Sequence, residues 1–152
     1  MTDFKVKTVP PEIDRPELLG RQEWSERQAG KLVRQQEANR PLNVPKNNFK
    51  PPVNSNTLSV DRMDYAERNE LRKLAEKNIR ENQAFQGWYI VCAADVMDLG
   101  CDVQASQSPQ HPYHADIIIP TDPNEFDPKA IKDNQIKFAL KIAQTVRKFV
   151  TK

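Results

Sequence analysis

Residues 58–92 read LSVDRMDYAERNELRKLAEKNIRENQAFQGWYIVC. Two periods meet in this stretch. Leu58-Ser59-Val60-Asp61-Arg62 alternates apolar and polar residues, the signature of a strand with one buried face. Asp64 and Glu67 then stand three apart, as at a helix start, and Leu71, Leu74, Ala75 and Ile79 follow at helical spacing. Gly87 introduces Trp88-Tyr89-Ile90-Val91-Cys92, an aromatic and β-branched run that suits a buried strand. Strand, helix and strand in this order predict a right-handed parallel crossover.

Downstream, Asp95-Val96-Met97-Asp98-Leu99-Gly100 reads as one helical turn closed by glycine. Cys101 to Ala105 alternates as a short strand, residues 106–112 are a polar loop, and Tyr113 to Ile119 is the strongest strand, stopped by Pro120. Pro128 opens a long final helix. At 100° per residue, Ile131, Phe138, Ala139, Ile142, Val146, Phe149 and Val150 fall within about 120° of one another, with Lys137, Lys141, Lys148 and Lys152 within about 60° elsewhere. The fold class is therefore α+β, with α/β as the alternative: about four strands and two main helices packed on one face.

Upstream, seven of the twelve prolines lie in the first 52 residues, and residues 43–57 read NVPKNNFKPPVNSNT, the composition of a linker. Residues 1–56 carry 10 basic and 7 acidic side chains, a net +3, and residues 57–152 carry 13 and 14, a net −1. This divides the chain into an N-terminal arm, 1–56, and a globular α+β domain, 57–152. Within the arm, Asp14-Arg15-Pro16-Glu17 resembles a helix start, with Leu18, Ala29, Leu32 and Val33 on one face and Pro41 as the stop. Gly20 and Gly30 each cost such a helix about 1 kcal/mol. It would need a docking surface, so Leu18, Trp24, Leu32 and Val33 are the candidate partner-binding residues.

Several classes are set aside by composition. The chain has 152 residues and a net charge of +2. No run approaches the ~18 apolar residues of a membrane span, so no membrane is expected. Residues Met1-Thr2-Asp3-Phe4-Lys5 lack a secretory signal's apolar core. With only Cys92 and Cys101 there is neither a disulfide framework nor a thiolate zinc site, and the expected location is the cytoplasm. Four glycines form no phosphate-cradling motif, and no cofactor or metal is expected.

Charge is unevenly distributed. Residues 81–128 carry eight acids (Glu81, Asp95, Asp98, Asp102, Asp116, Asp122, Glu125 and Asp127) and no Lys or Arg. The last segment then carries seven basic residues against Asp133. This reads as a bipolar docking surface or as ordinary solvated loops and helix. It disfavours a nucleic-acid groove across the sheet, leaving only the arm or the final helix for such contact.

His114 and Asp116 lie two apart on a strand, on one face and ~6–7 Å from each other. A histidine beside a carboxylate can serve as general base or metal ligand, although a third residue is needed to join this pair. The alternative is a histidine that anchors the Gln110-His111-Pro112-Tyr113 loop. Ser59 faces outward from the first strand with Asp61, and Arg62 follows at the junction, where it would grip an anion or pair with Asp61 or Asp64. Ser59, Arg62, His114 and Asp116 are the candidate catalytic set.

Leu58-Ser59-Val60-Asp61-Arg62, the Trp88-Tyr89-Ile90-Val91 run and Pro112-Tyr113-His114-Ala115-Asp116-Ile117 together resemble a group of small bacterial proteins that share an L-S-V-x-R strand and a P-x-H-A-x-I strand. The resemblance covers about residues 49–152. It carries no activity, but it implies that Ser59, Arg62 and His114 be considered together. The leading expectation is a bacterial interaction protein or complex subunit that docks on a protein partner through its arm. The alternatives are a hydrolase or transferase acting on a phosphate-containing or nucleotide substrate through Arg62 and His114, and a neutralising, antitoxin-like partner of a basic protein.

Overall fold

The alternation that opens residues 58–92 does become a strand, but its neighbours are not those of a simple crossover. The computed structural model describes residues 9–28, 31–32, 46–52, 54–77 and 83–152. In chain order these form β1 (Leu18–Gln28), β2 (Lys31–Leu32), a 3-10 turn (Lys46–Phe49), β3 (Thr57–Arg62), α1 (Arg68–Glu76), β4 (Gln83–Cys92), α2 (Ala93–Asp98), β5 (Asp102–Ala105), β6 (His114–Ile118), α3 (Pro128–Gln144) and β7 (Lys148–Thr151). The protein is α+β. Its sheet runs β5-β6-β3-β1-β4-β7, with β2 on β1 and every neighbouring pair antiparallel.

β3 and β4 do run the same way, but β1 lies between them and pairs with both. The stretch expected to hold a helix is thus an eleven-residue strand at the centre of the sheet. Its period is two: Leu19 sinks into one core while Leu18 and Trp24 pack on the other. Gly20, costly in a helix, is needed here, because a Cβ would run into Met63 Sδ and the Trp88 ring. The sheet takes strands from both sides of the boundary placed near residue 56. Val33 and Pro41 lie outside the described residues, as does Ile79.

Helices cover both faces rather than one. On the first face Leu19, Leu58, Val60, Tyr89, Val91, Ala115 and Ile117 meet Phe138, Ala139 and Ile142 of α3, with Val96 of α2 and Phe49 of the 3-10 turn. On the second face Phe85, Trp88 and Ile90 of β4 meet Leu71 and Ala75 of α1. Because β4 is covered on both sides, residues 84–92 are all buried. That is why its sequence reads as continuous rather than alternating.

α3 begins at Pro128, capped by the Asp127 carboxylate, which accepts from Lys129 N at 3.1 Å. It ends at Gln144 instead of running to the terminus. Phe149 and Val150, which share a stripe by helical arithmetic, go to opposite cores. They belong to β7, paired on β4 from Gly87 to Ile90. Gly87 has φ +142, and a Cβ there would collide with the backbone of Val150, so β7 can lie this close only over glycine.

Candidate functional site

The sheet contains a fork. β1 and β3 are in register only at Leu19↔Arg62 and Gly20↔Asp61. Beyond these, β1 stays with β4 as far as Glu26, and β3 stays with β6 back to Thr57. A cleft of about 340 Å³ opens where they part. Arg21, Gln22 and Trp24 line it from β1, Ser59 and Asp61 from β3, Asn48 from the 3-10 turn, and His111 and His114 from the start of β6 and the loop before it.

Asp61 is 2% exposed and fully partnered. Its Oδ2 accepts from Trp88 Nε1 at 2.7 Å and Gln22 Nε2 at 2.9 Å, and its Oδ1 lies 2.9 Å from His111 Nε2. The Tyr113 backbone N–H donates to His111 Nδ1 at 3.3 Å. A neutral imidazole holds one proton, so the network assigns it to Nε2, which donates to Asp61. Both nitrogens of His111 are therefore engaged.

His114 differs. Its Nδ1 lies 2.5 Å from Ser106 Oγ and 3.9 Å from Asp116 Oδ1. Ser106 Oγ accepts from this nitrogen in the tautomer that carries its proton on Nδ1. Nε2 is then left as a bare lone pair, without a hydrogen-bond partner among the described residues. The two histidine rings meet edge-to-face at 5.4 Å. Ser106 engages His114 but makes no hydrogen bond to Asp116 among the described residues, so it does not join the pair.

Two further donors lie in the wall of the cleft. The Asn48 amide nitrogen is buried without a hydrogen-bond partner among the described residues, and each such orphan costs about 1–3 kcal/mol until something accepts from it. Arg21 donates from Nε to Asn48 O and from Nη1 to Ser59 O, both at 2.8 Å, bridging the fork. Burial lowers the Arg21 pKa from its ordinary value, and the charges of Asp61 and Glu23 oppose that shift.

The β3–β6 register places Ser59 opposite Asp116 and Asp61 opposite His114, so Ser59, His114 and Asp116 do share one face. Arg62 does not join them. It points to the other face at 0% exposure and pairs with Glu17 at 2.5 and 3.1 Å rather than with Asp61 or Asp64. It also donates to Pro10 O and Glu12 O and lies 4.8 Å from the centroid of the Tyr65 ring. Of the expected partner-binding residues, Leu18 and Trp24 pack on the protein's own second core, and Leu32 sits in β2. Asp61, His111, Arg21 and Asn48 are the residues that sequence reasoning missed. Only the spacing of His111 and His114 around Pro112 hinted at them.

No protein-family model, curated protein or solved structure matches this chain. The cleft must be read from its own chemistry. Among the described residues no group of three or more His, Cys, Asp or Glu is placed to hold a metal ion, and no helix is long and apolar enough to cross a membrane.

Proposed function

We propose that the fork cleft binds a small polar molecule and that His114 acts on it as general base, the chemistry of a hydrolase or a transferase. The observation that carries this reading is the His114 ring, with no partner for its Nε2 among the described residues, in a cleft walled by Asn48, whose buried side-chain nitrogen also has no partner among them. Asn48, with Arg21 beside it, would hold an acceptor oxygen of the substrate. His114 would take a proton from the attacking group, with Ser106 and Asp116 stabilising the imidazolium that forms. Asp61 and His111 are positioning residues, since their hydrogen-bonding capacity is spent on each other and on Trp88, Gln22 and Tyr113.

This reading replaces Arg62 with Arg21 as the candidate anion contact. Because Arg21 lies in the field of Asp61 and Glu23, the cleft suits a neutral or singly charged acceptor better than a phosphate dianion. The test is a panel of chromogenic esters, amides and phosphate esters assayed across pH. One class should be turned over, and His114→Ala should lower kcat by about 10²–10⁴-fold with the fold retained. A panel with no turnover, or a His114→Ala protein as active as the unaltered chain, contradicts the proposal.

A further inference from the structure

The feature of the surface that the cleft does not explain is Phe126. Its side chain is 83% exposed, in the loop immediately before α3. The loop is built to hold it there. Asn124 N donates to Asp122 Oδ1 at 2.9 Å, Asp127 N to Glu125 Oε1 at 3.0 Å, and Lys129 N to Asp127 Oδ1 at 3.1 Å. An aromatic ring on a preorganised loop loses little conformational entropy when it is buried against something else. Three carboxylates, Asp122, Glu125 and Asp127, flank it.

The start of α3, within ten residues, also supplies most of its complement. A groove of about 380 Å³ runs between α3 and the segment before β3, lined by Lys50, Asn54, Pro128, Ile131, Lys132 and Gln135. Ile131, which helical periodicity assigns to the core, is instead 41% exposed and faces this groove. Its wall is apolar at Pro128 and Ile131, and its two charged members, Lys50 and Lys132, are both positive. The knob is aromatic with a negative rim, and the groove is apolar with a positive one.

We propose that a second copy of this chain fills the groove, each Phe126 seating against the Ile131 and Pro128 of the other copy. The occupant is identified by charge complementarity: three of the four charged residues within four positions of Phe126 are acidic (Asp122, Glu125 and Asp127, against Lys129), and both charged residues of the groove are basic. Because Phe126 stands two residues before Pro128, which lines the groove, a two-fold axis between the copies can make both contacts at once, which is the closed, self-complementary interface of a symmetric dimer. Opposite charges at the rims make the association weaken as salt rises.

Sedimentation velocity of the full chain across the micromolar range, at low and moderate salt, tests this. The unaltered protein should form a dimer whose dissociation constant rises with salt. Phe126→Ala should weaken it at least tenfold, as expected for loss of a central aromatic anchor, and Lys132→Glu should weaken it without touching the knob. Both positions are exposed, and circular dichroism checks that the fold is kept. A protein that stays monomeric at every concentration overturns the proposal and leaves the groove to a different molecule. A dimer that survives Phe126→Ala overturns it equally, since the contact must then lie elsewhere.

Discussion

Asp61 and Arg62 are adjacent in the chain and buried to the same degree, at 2% and 0% exposure, yet they belong to different regions of the molecule. Arg62 points into the first face, and its donors go to Glu17 and to the carbonyls of Pro10 and Glu12. It pins the segment before β1 to the end of β3. Asp61 points the other way, and two of its three partners, Gln22 and His111, line the fork cleft themselves. A buried charge does not by itself mark a site. What distinguishes these two is whether their partners face solvent-accessible space.

The comparison is broken most severely at Arg62. Glu17→Ala removes the carboxylate that compensates a fully buried guanidinium, and breaking such a pair is expected to cost about 3–5 kcal/mol. Urea unfolding measures this, while the His114 ring signals of the remaining folded protein should stay where they were. A loss under about 1 kcal/mol contradicts a structural role for the pair.

At Asp61 the expected effect is smaller in stability but local in the cleft. Asp61→Asn keeps the shape, yet its amide nitrogen faces a donor, either the His111 Nε2–H or the Trp88 and Gln22 N–H groups. A cost of about 1–3 kcal/mol follows from one unsatisfied buried group. His111 should lose its fixed orientation, seen as line broadening or a shift of its ring protons. Unchanged His111 signals would sink the assigned network.

The smallest effect sharpens the contrast from the filled side. Cys101 is 5% exposed beneath the first core, and burial raises its thiol from 9.0 to about 11. Between those values the unfolded chain releases the thiol proton and the folded chain keeps it. Cys101 therefore lowers stability as pH rises through that window and contributes nothing below it. Cys101→Ala should flatten the stability curve between pH 9 and 11. An identical curve would contradict the assignment.

Much of this architecture was legible in sequence. β3, the core of β4, the turn at α2 closed by Gly100, β5, β6 and the start of α3 follow from local period and punctuation. β1 did not, because its weak helical signature at Asp14–Glu17 borders a strand whose evidence is tertiary: Gly20 under Trp88, and two cores taking alternate residues. β7 failed for a related reason, since Phe149 and Val150 fit the helical stripe as well as they fit opposite faces of a strand. For the site, alternation placed Ser59 outward on its strand and His114 with Asp116 on one face of theirs, but the β3–β6 pairing that brings them together was not readable. Nor was the fork, because it depends on β1 entering between β3 and β4, and Arg21, Asn48 and the Asp61–His111 contact come only with it.

The proposed chemistry turns on the state of two imidazoles, which nitrogen-15 NMR of the histidine rings near neutral pH reads out. The account predicts opposite tautomers: a proton on Nε2 of His111, donated to Asp61, and a proton on Nδ1 of His114, leaving its Nε2 bare in the cleft. A His114 ring that carries its proton on Nε2 would have no base to offer a ligand and would contradict the proposed chemistry.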